Sequence, residues 1–245
     1  MTVADGIILR RTPYLSSGII LDVLTPSGKL PVLLRGVKGG KSSSKHAETQ
    51  VGSFVRLVLH HPHGPEAMHT VKEISADVRS ADVSSIGPYR AAQLLFICEL
   101  TASTVQGRES GGELYEFLYQ CIRSLCQGSE RHLCMRYSYH LAQLLGFAPG
   151  HPDGQGQYFD LQAGEFLPAR PLHRYYLTPA NASLFFSLGD ASREPVFSDA
   201  SQYLKLWHII VTYYSLHIEG FRPPRSLDFL QQLTLMEYFP PAEKK

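Results

Sequence analysis

The hydrophobic period of this sequence changes near Pro88, and that change constrains the fold more than any other feature. Before Pro88, short apolar segments rich in β-branched residues alternate with turn residues, a pattern typical of β-strands. After it, apolar residues recur every three to four positions, as in amphipathic helices. We therefore predict an α+β chain with a β-rich domain at residues 1–80 and a mainly α-helical domain at residues 81–245.

The first domain contains five segments with strand character. Pro26-Ser27-Gly28 is a typical turn sequence between the second and the third. In the fourth, Val55, Leu57 and Leu59 alternate on one face, as expected of a strand with one buried side. Five short strands in about eighty residues favour a small closed barrel of the OB type. The segments are Ile7–Leu9, Gly18–Thr25, Leu30–Arg35, Gly52–His60 and Met68–Val78.

The second domain is predicted to contain helices and one small hairpin. A glycine-rich and proline-rich loop at residues 148–157 precedes a hairpin at Tyr158–Leu167. In the most aromatic helix, Trp207 lies on one stripe with Tyr203 and Tyr214, which favours core packing over a cofactor site. The predicted helices are Tyr89–Val105, Glu113–Cys126, Ser129–Leu145, Asn181–Leu188, Ser198–Ile218 and Ser226–Tyr238.

Positive charge is concentrated in the first domain, although the net charge of the whole chain is only +1. The segment Lys29–Lys45 contains five cations and no acid, interspersed with glycines and serines that let a backbone approach phosphates. Such a loop suits non-specific nucleic-acid binding, and a solvated loop without a ligand is the alternative interpretation. Tyr14 and Phe54 are candidate stacking side chains. The predicted DNA-binding residues are Arg10, Arg11, Lys29, Arg35, Lys38, Lys41, Lys45 and Arg56.

Four arginines of the helical domain lie near apolar surfaces. This combination could receive an acidic, aromatic peptide tail, and ordinary surface solvation is the alternative interpretation. The predicted partner-binding residues are Arg123, Arg131 and Arg136, with Arg174 as a further candidate.

Enzyme signatures are incomplete in this sequence. Gly40-Lys41-Ser42 resembles the end of a phosphate-binding P-loop, but the motif needs a glycine where Arg35 stands. The histidines near residue 61 have no neighbouring cysteine, so a solvated turn is the better interpretation. Acidic residues are scattered singly, which gives a two-metal nuclease site poor support. The cysteines form no C-x-x-C pair and are predicted to be buried thiols: Cys98, Cys121, Cys126 and Cys134.

Four blocks of the sequence form a recognisable order. They are Ile8–Tyr14 with Leu21–Thr25 and Arg35–Lys38, then Leu94 with Cys98–Leu100, then Arg136-Tyr137 with Leu144–Pro149 and Tyr158–Asp160, and finally His217–Gly220 with Arg225-Ser226 and Phe229-Leu230. In this order and at this spacing the blocks resemble the RecO family of DNA-repair proteins.

The resemblance implies an N-terminal OB domain, a helical C-terminal domain and no enzymatic activity. Relatives bind single- and double-stranded DNA, anneal complementary strands, and act with RecR so that RecA replaces single-strand-binding protein on gapped DNA. They also dock the acidic, Phe-ended tail of that binding protein on the helical domain, a role that would involve Arg136 here. With no apolar leader and no span of about 20 apolar residues, we expect a cytoplasmic, nucleoid-associated protein.

One departure from the family concerns zinc. Many relatives hold zinc with four cysteines in the loop that corresponds to Gly146–Tyr158, where this sequence has no cysteine and His151 as its one histidine. We therefore predict a member without zinc or any other cofactor. Two other functions stay open: a protein-binding adaptor with a structural barrel, and a metal-dependent nuclease.

Overall fold

The computed structural model describes residues 1–16, 18–36, 49–61, 64, 68–77, 82–105, 111–128, 131–150, 157–190 and 194–240. Contacts divide the chain into two compact units, Met1–Ser129 and Glu130–Lys245. The predicted α+β class is confirmed, with a closed N-terminal barrel followed by helices and a small separate sheet. The boundary predicted near residue 80 lies within the first unit, because two helices after it contact the barrel strands.

The barrel is formed by five strands, as predicted. They are β1 (Thr2–Tyr14), β2 (Gly18–Thr25), β3 (Gly28–Leu34), β4 (Phe54–His60) and β5 (His69–Ala76). Their order around the closed barrel is β1-β2-β3-β5-β4. All neighbouring pairs are antiparallel except β3 and β5, whose parallel pairing completes the closure.

β1 is far longer than the predicted Ile7–Leu9, because it pairs with two strands in succession. Its first half pairs with β4 and its second half with β2, and the register shifts between Ile8 and Arg10. Such a shift bends a strand and lets it serve two neighbours around a barrel. Polar residues of these two halves interrupt the apolar pattern, which is why the sequence revealed only the middle of the strand.

The barrel interior is filled by aliphatic side chains. The alternation predicted for β4 is confirmed, because Val55, Leu57 and Leu59 all belong to this buried cluster, whereas Val58 does not. The cluster consists of Ile8, Leu21, Val23, Val32, Leu34, Val55, Leu57, Leu59 and Val71. Burial of this apolar surface is the main driving force for closing the barrel.

Two helices cover part of the barrel exterior: α1 (Pro88–Thr104) and α2 (Gly111–Gln127). The outward-facing Phe54 is only 1% exposed, and its ring centroid lies 4.9 Å from that of Tyr119 on α2. Gly52 has φ +85°, and a Cβ there would lie 2.6 Å from a Leu94 methyl group on α1. The helices therefore belong to the packing of the barrel.

The second unit contains a small sheet, four α-helices and one short 3₁₀ helix, Ser187–Gly189, among its described residues. The α-helices are α3 (Leu133–Leu144), α4 (Pro179–Phe186), α5 (Ala200–His217) and α6 (Ser226–Tyr238). The sheet order is β7-β6-β8, with β6 (Tyr158–Asp160), β7 (Glu165–Leu167) and β8 (Tyr176–Leu177). The predicted hairpin is confirmed as β6 and β7, and the two-residue β8 was missed because so short a strand has no periodicity.

The aromatic helix α5 forms the core of the second unit, as predicted. Trp207, Tyr203 and Tyr214 are each 2% exposed. The Tyr214 hydroxyl donates a hydrogen bond of 2.6 Å to the Ser138 carbonyl on α3, and burial raises the pKa of this phenol. Gly146, with φ +84°, ends α3 as predicted, whereas α3 begins at Leu133 and the predicted start at residues 129–130 lies outside the described residues.

Candidate functional site

The connection between β3 and β4 carries the densest run of predicted DNA-binding cations. β3 ends at Leu34, directly before Arg35, and β4 begins at Phe54. Arg35 is exposed and forms no salt bridge with another described residue. Lys38, Lys41 and Lys45 lie outside the described residues, as does the segment that resembles a P-loop. The basic connection, residues 35–45, therefore starts from the end of a barrel strand.

Arg10 and Arg11 lie on the second half of β1. The Arg10 Nη2 atom lies 2.6 Å from the Asp22 Oδ2 atom on the neighbouring strand β2, so this cation is paired with an acid. The Arg10 side chain is still 55% exposed, whereas that of Asp22 is 12% exposed. Arg11 follows it on β1 and is partly buried. Arg10 retains enough exposure for a ligand, but any phosphate there would compete with Asp22.

Lys29 points towards α1. Its Nζ atom donates a hydrogen bond of 2.7 Å to the Ala102 carbonyl in the last turns of that helix. Partial burial lowers the pKa of this ammonium, while Asp22 acts in the opposite direction and Arg10 adds to the lowering. Lys29 therefore links the barrel to α1, and its charge is shared among protein groups.

Arg56 lies on β4 opposite Asp5 on β1. Its guanidinium donates two hydrogen bonds to the Asp5 carboxylate, of 2.8 Å to Oδ1 and 3.0 Å to Oδ2. Both groups are partly exposed, so this ion pair adds little to stability. Arg10, Lys29 and Arg56 thus share their charges with protein groups, whereas Arg35 is exposed and forms no ion pair with another described residue.

Phe54, predicted as a stacking side chain, is unavailable to a base because α2 covers it. Alternation correctly placed Phe54 on the outer face of β4, but a strand pattern does not reveal which part of that face a helix covers. Tyr14, at the end of β1, is 43% exposed and stays available for stacking.

The three predicted partner-binding arginines lie in different units. Arg123 is exposed on α2 of the first unit, with its Cζ atom 5.7 Å from the Tyr119 ring centroid. Arg131 and Arg136 belong to the second unit, on either side of His132 in sequence. The Arg131 and Arg136 side chains, with the groups they contact, form what we call the arginine site.

Arginine–aromatic and arginine–carbonyl contacts define the arginine site. The Arg131 Cζ atom lies 4.4 Å from the Tyr238 ring centroid and 4.8 Å from that of Phe239. The Arg136 Nη1 atom donates a hydrogen bond of 2.8 Å to the Asp190 carbonyl. Neither of these contacts is with a carboxylate.

The pKa of His132 reflects the positive charges of the arginine site. This side chain is 5% exposed, and its ring lies edge-on to Phe197 at a centroid distance of 5.0 Å. Burial lowers the pKa of His132 to about 4, and the charges of Arg131 and Arg136 add to that lowering. His132 is therefore neutral at physiological pH.

Among the described residues, no group of three or more His, Cys, Asp or Glu side chains could hold a metal ion. Cys98 and Cys134 are buried, Cys121 and Cys126 are partly buried, and burial raises the pKa of the Cys98 thiol. The stretch Gly146–Tyr158 does not fit zinc, because its sequence supplies no thiolate. His151 and His63 lie outside the described residues.

Within the described parts of the chain, no helix is both long enough and apolar enough to cross a membrane.

Family comparison covers both units. The sequence model described as Recombination protein O N terminal matches residues 1–76, and the one described as Recombination protein O C terminal matches residues 88–228. The chain belongs to the RecO family. This confirms the resemblance carried by the four sequence blocks, and membership in the RecO family supports a role in DNA repair and recombination.

Individual RecO relatives match most of the chain at low identity. The DNA repair protein RecO of Azobacteroides pseudotrichonymphae is 24% identical over 235 residues, and that of Phocaeicola vulgatus is 25% identical over 235 residues. Each match covers 93% of this chain and 97% of the relative. The DNA repair protein RecO of Bacillus cereus is 26% identical over 184 residues, which is 68% of each chain.

Proposed function

We propose that this RecO-family protein is a non-enzymatic mediator of DNA repair and recombination. It binds single-stranded and duplex DNA, anneals complementary strands and, with RecR, helps RecA load onto DNA coated by single-strand-binding protein. The observation that carries the proposal is the acid-free basic connection between β3 and β4 of a closed barrel. Family membership supports the DNA-repair setting of that observation.

DNA binding is proposed to be electrostatic. Arg35, Lys38, Lys41 and Lys45 neutralise phosphates and release condensed counterions, a process that requires no base recognition. Arg10, Arg11 and Arg56 add positive charge on the barrel surface, and Lys29 adds to the positive electrostatic potential there. Neutralising the phosphates of two complementary strands lowers their mutual repulsion, which favours annealing.

Partner docking is proposed to use the arginine site together with Arg123. An acidic tail that ends in an aromatic residue would pair its carboxylates with Arg131 and Arg136, beside the rings of Tyr238 and Phe239. Charge-assisted hydrogen bonds between arginine and carboxylate are strong and directional, which suits recognition of a short tail. RecR is proposed as a second partner, and the cytoplasm and nucleoid as the location, because the DNA substrate is there.

Salt titration tests the DNA-binding proposal. The affinity for a labelled oligo(dT), measured by fluorescence anisotropy, should fall steeply as salt is raised. The triple variant Lys38→Glu/Lys41→Glu/Lys45→Glu should reduce the slope of log affinity against log salt by about 2, at roughly 0.7 per phosphate contact. Lys72→Glu/Lys205→Glu, at exposed positions outside the connection, is the control. Salt-independent affinity, or a triple variant with the wild-type slope, would refute the phosphate-binding role of this connection.

The second candidate function is a protein-binding adaptor with a structural barrel. The ion pairs of Arg10 and Arg56 and the internal hydrogen bond of Lys29 favour it, because those charges are already partnered. Arg136→Ala should abolish binding of an acidic, Phe-ended peptide and leave oligo(dT) binding unchanged under the mediator proposal. A protein that binds the peptide but no DNA is an adaptor, and one that cuts labelled DNA with Mg²⁺ is a nuclease.

A further inference from the structure

The three-stranded sheet of the second unit has two unlike faces. On the inner face, Phe159 and Phe166 contact Phe186 of α4, with ring centroids 5.0 Å and 5.1 Å from it. Leu177 of β8 completes this face and is 3% exposed. The inner face is therefore part of the core of the second unit.

The outer face carries tyrosines. Since side chains alternate along a strand and paired residues share a face, Tyr158, Leu167 and Tyr176 all lie opposite the core. The Tyr158 and Tyr176 rings contact each other edge-on at 5.8 Å, and both are partly exposed. Solvent-facing positions of a small sheet usually carry polar side chains, so paired aromatic rings there indicate a contact surface.

Two arginines from the segment between β7 and β8 each lie against a tyrosine ring. The Arg170 Cζ atom is 5.1 Å from the Tyr176 ring centroid. The Arg174 Cζ atom is 5.0 Å from the Tyr175 ring centroid, and its Nη2 donates a hydrogen bond of 2.9 Å to the Tyr175 hydroxyl. Both arginines are exposed. We call Tyr158, Tyr176 and Arg170, together with the adjoining pair Arg174 and Tyr175 that precedes β8, the arginine–tyrosine face.

The acids near the arginine–tyrosine face differ in availability. Asp160 is buried, and its carboxylate accepts hydrogen bonds from the His173 ring at 3.0 Å and from the backbone N–H groups of Gln162 and Ala163 at 2.8 Å and 3.2 Å. Because Asp160 pairs with Tyr176 and with Glu165, it lies on the same face of the sheet as the tyrosines, where these hydrogen bonds occupy its carboxylate. Glu165, exposed on β7, is the acid of this sheet that an incoming anion would meet.

We propose that the arginine–tyrosine face binds single-stranded nucleic acid as a second site, independent of the basic connection on the barrel. Unpaired bases stack on the tyrosine rings and guanidinium planes, and the outer N–H groups of Arg170 and Arg174 bind the backbone phosphates. Duplex DNA is a poor ligand, because its bases already stack on each other. Charge complementarity favours an anionic strand, and aromatic planes favour bases over the side chains of an acidic peptide.

Photo-cross-linking of the full chain tests this site directly. The probe is an oligo(dT) in which 5-iodo-deoxyuridine replaces some thymidines, and mass spectrometry identifies the adducts. We expect adducts on Tyr158, Tyr175 or Tyr176. Adducts confined to residues outside the face, while the probe is bound, would overturn the proposal.

Substitution supplies the quantitative test. Arg170→Ala/Arg174→Ala should remove these adducts and flatten the salt dependence by roughly 1.4 at about 0.7 per phosphate. Arg222→Ala/Arg225→Ala removes the same charge from exposed positions of the same unit and should leave the adducts in place. Tyr176→Leu, which keeps the strand apolar, should weaken binding about fivefold or more. Wild-type adducts and slope in Arg170→Ala/Arg174→Ala would overturn the proposal.

Failure of this proposal is distinguishable from failure of the DNA-binding role of the barrel. In Lys38→Glu/Lys41→Glu/Lys45→Glu the face should still give tyrosine adducts, and loss of those adducts would overturn its independence. If Arg170→Ala/Arg174→Ala instead loses only an acidic, Phe-ended peptide, the face is a peptide site and the proposal is wrong.

Discussion

Acid should destabilise the second unit through His132. The pKa of this side chain is about 4 in the folded protein, against an ordinary value of 6.5. Between these two values the unfolded chain binds a proton that the folded chain does not, so the free energy of unfolding decreases as pH falls. The contribution is fully present above pH 6.5 and is lost progressively towards pH 4.

The size of the effect follows from the two pKa values. Lowering the pH from 7.5 to 5 should remove about 2 kcal/mol of stability through this one residue, at roughly 1.4 kcal/mol per pKa unit. Solvent screening does little to reduce that figure, because His132 is 5% exposed. The effect is large beside the few kcal/mol by which a domain of this size is stable.

Urea unfolding followed by tryptophan fluorescence measures this effect. Trp207 is the only tryptophan of the chain and is buried on α5, so its emission reports the second unit. His132→Phe keeps a ring against Phe197 without a titrating group, and His132→Gln is the alternative if the phenylalanine variant does not fold. The free energy of unfolding of the wild type minus that of the variant should decrease by about 2 kcal/mol from pH 7.5 to pH 5, because only the wild type loses the contribution of His132.

A control and a refuting result make this test decisive. His208→Gln removes an exposed imidazole from the same unit and from the same helix as the fluorescent probe. If wild type and His132→Phe lose stability in parallel between pH 7.5 and 5, burial and the neighbouring arginines do not hold His132 neutral. The electrostatic description of the arginine site would then be wrong.

Substitutions at three further positions test the packing. Tyr214→Phe removes the hydroxyl bonded to the Ser138 carbonyl and should cost about 1 kcal/mol by urea unfolding, and no cost would mean that water replaces the bond. Gly52→Ala should cost more than about 1 kcal/mol by thermal melting, because of its positive φ and the Leu94 contact; wild-type stability would refute that strain. Phe54→Ala should cost about 3–5 kcal/mol by circular dichroism, whereas Phe54→Leu should cost less, and equal losses would argue against a size-dependent cavity.

Much of the barrel could be predicted because its strands are short apolar segments, rich in β-branched residues and separated by turn residues, and because β4 also alternates. Val55, Leu57 and Leu59 reported the interior face of β4 directly. The extent of β1 could not be predicted, because the residues that pair it with β4 are partly polar and gain their strand conformation from the partner. Pairing between segments that are distant in sequence produces no periodic pattern in either segment.

The candidate site was less predictable than the fold. Composition identified the basic connection, but charge counts do not reveal that Asp5 pairs with Arg56 or that Lys29 reaches the Ala102 carbonyl. Those contacts depend on strand register and on helix placement. Of the arginine–tyrosine face, the sequence analysis named only Arg174, as a candidate for partner binding. Its tyrosines were missed, because β8 is two residues long and only the sheet pairing brings Tyr158 and Tyr176 together.

The contact between Phe54 and Tyr119 determines which fragments of this chain could be prepared on their own. A fragment of residues 1–80 retains every barrel strand but leaves the Phe54 ring bare on the outside, where it favours self-association. A fragment of residues 1–129 retains α1 and α2 and keeps that ring covered. Solubility, oligomeric state and chemical-shift dispersion of the two fragments should therefore differ, and the smallest independently stable DNA-binding piece should be the longer one.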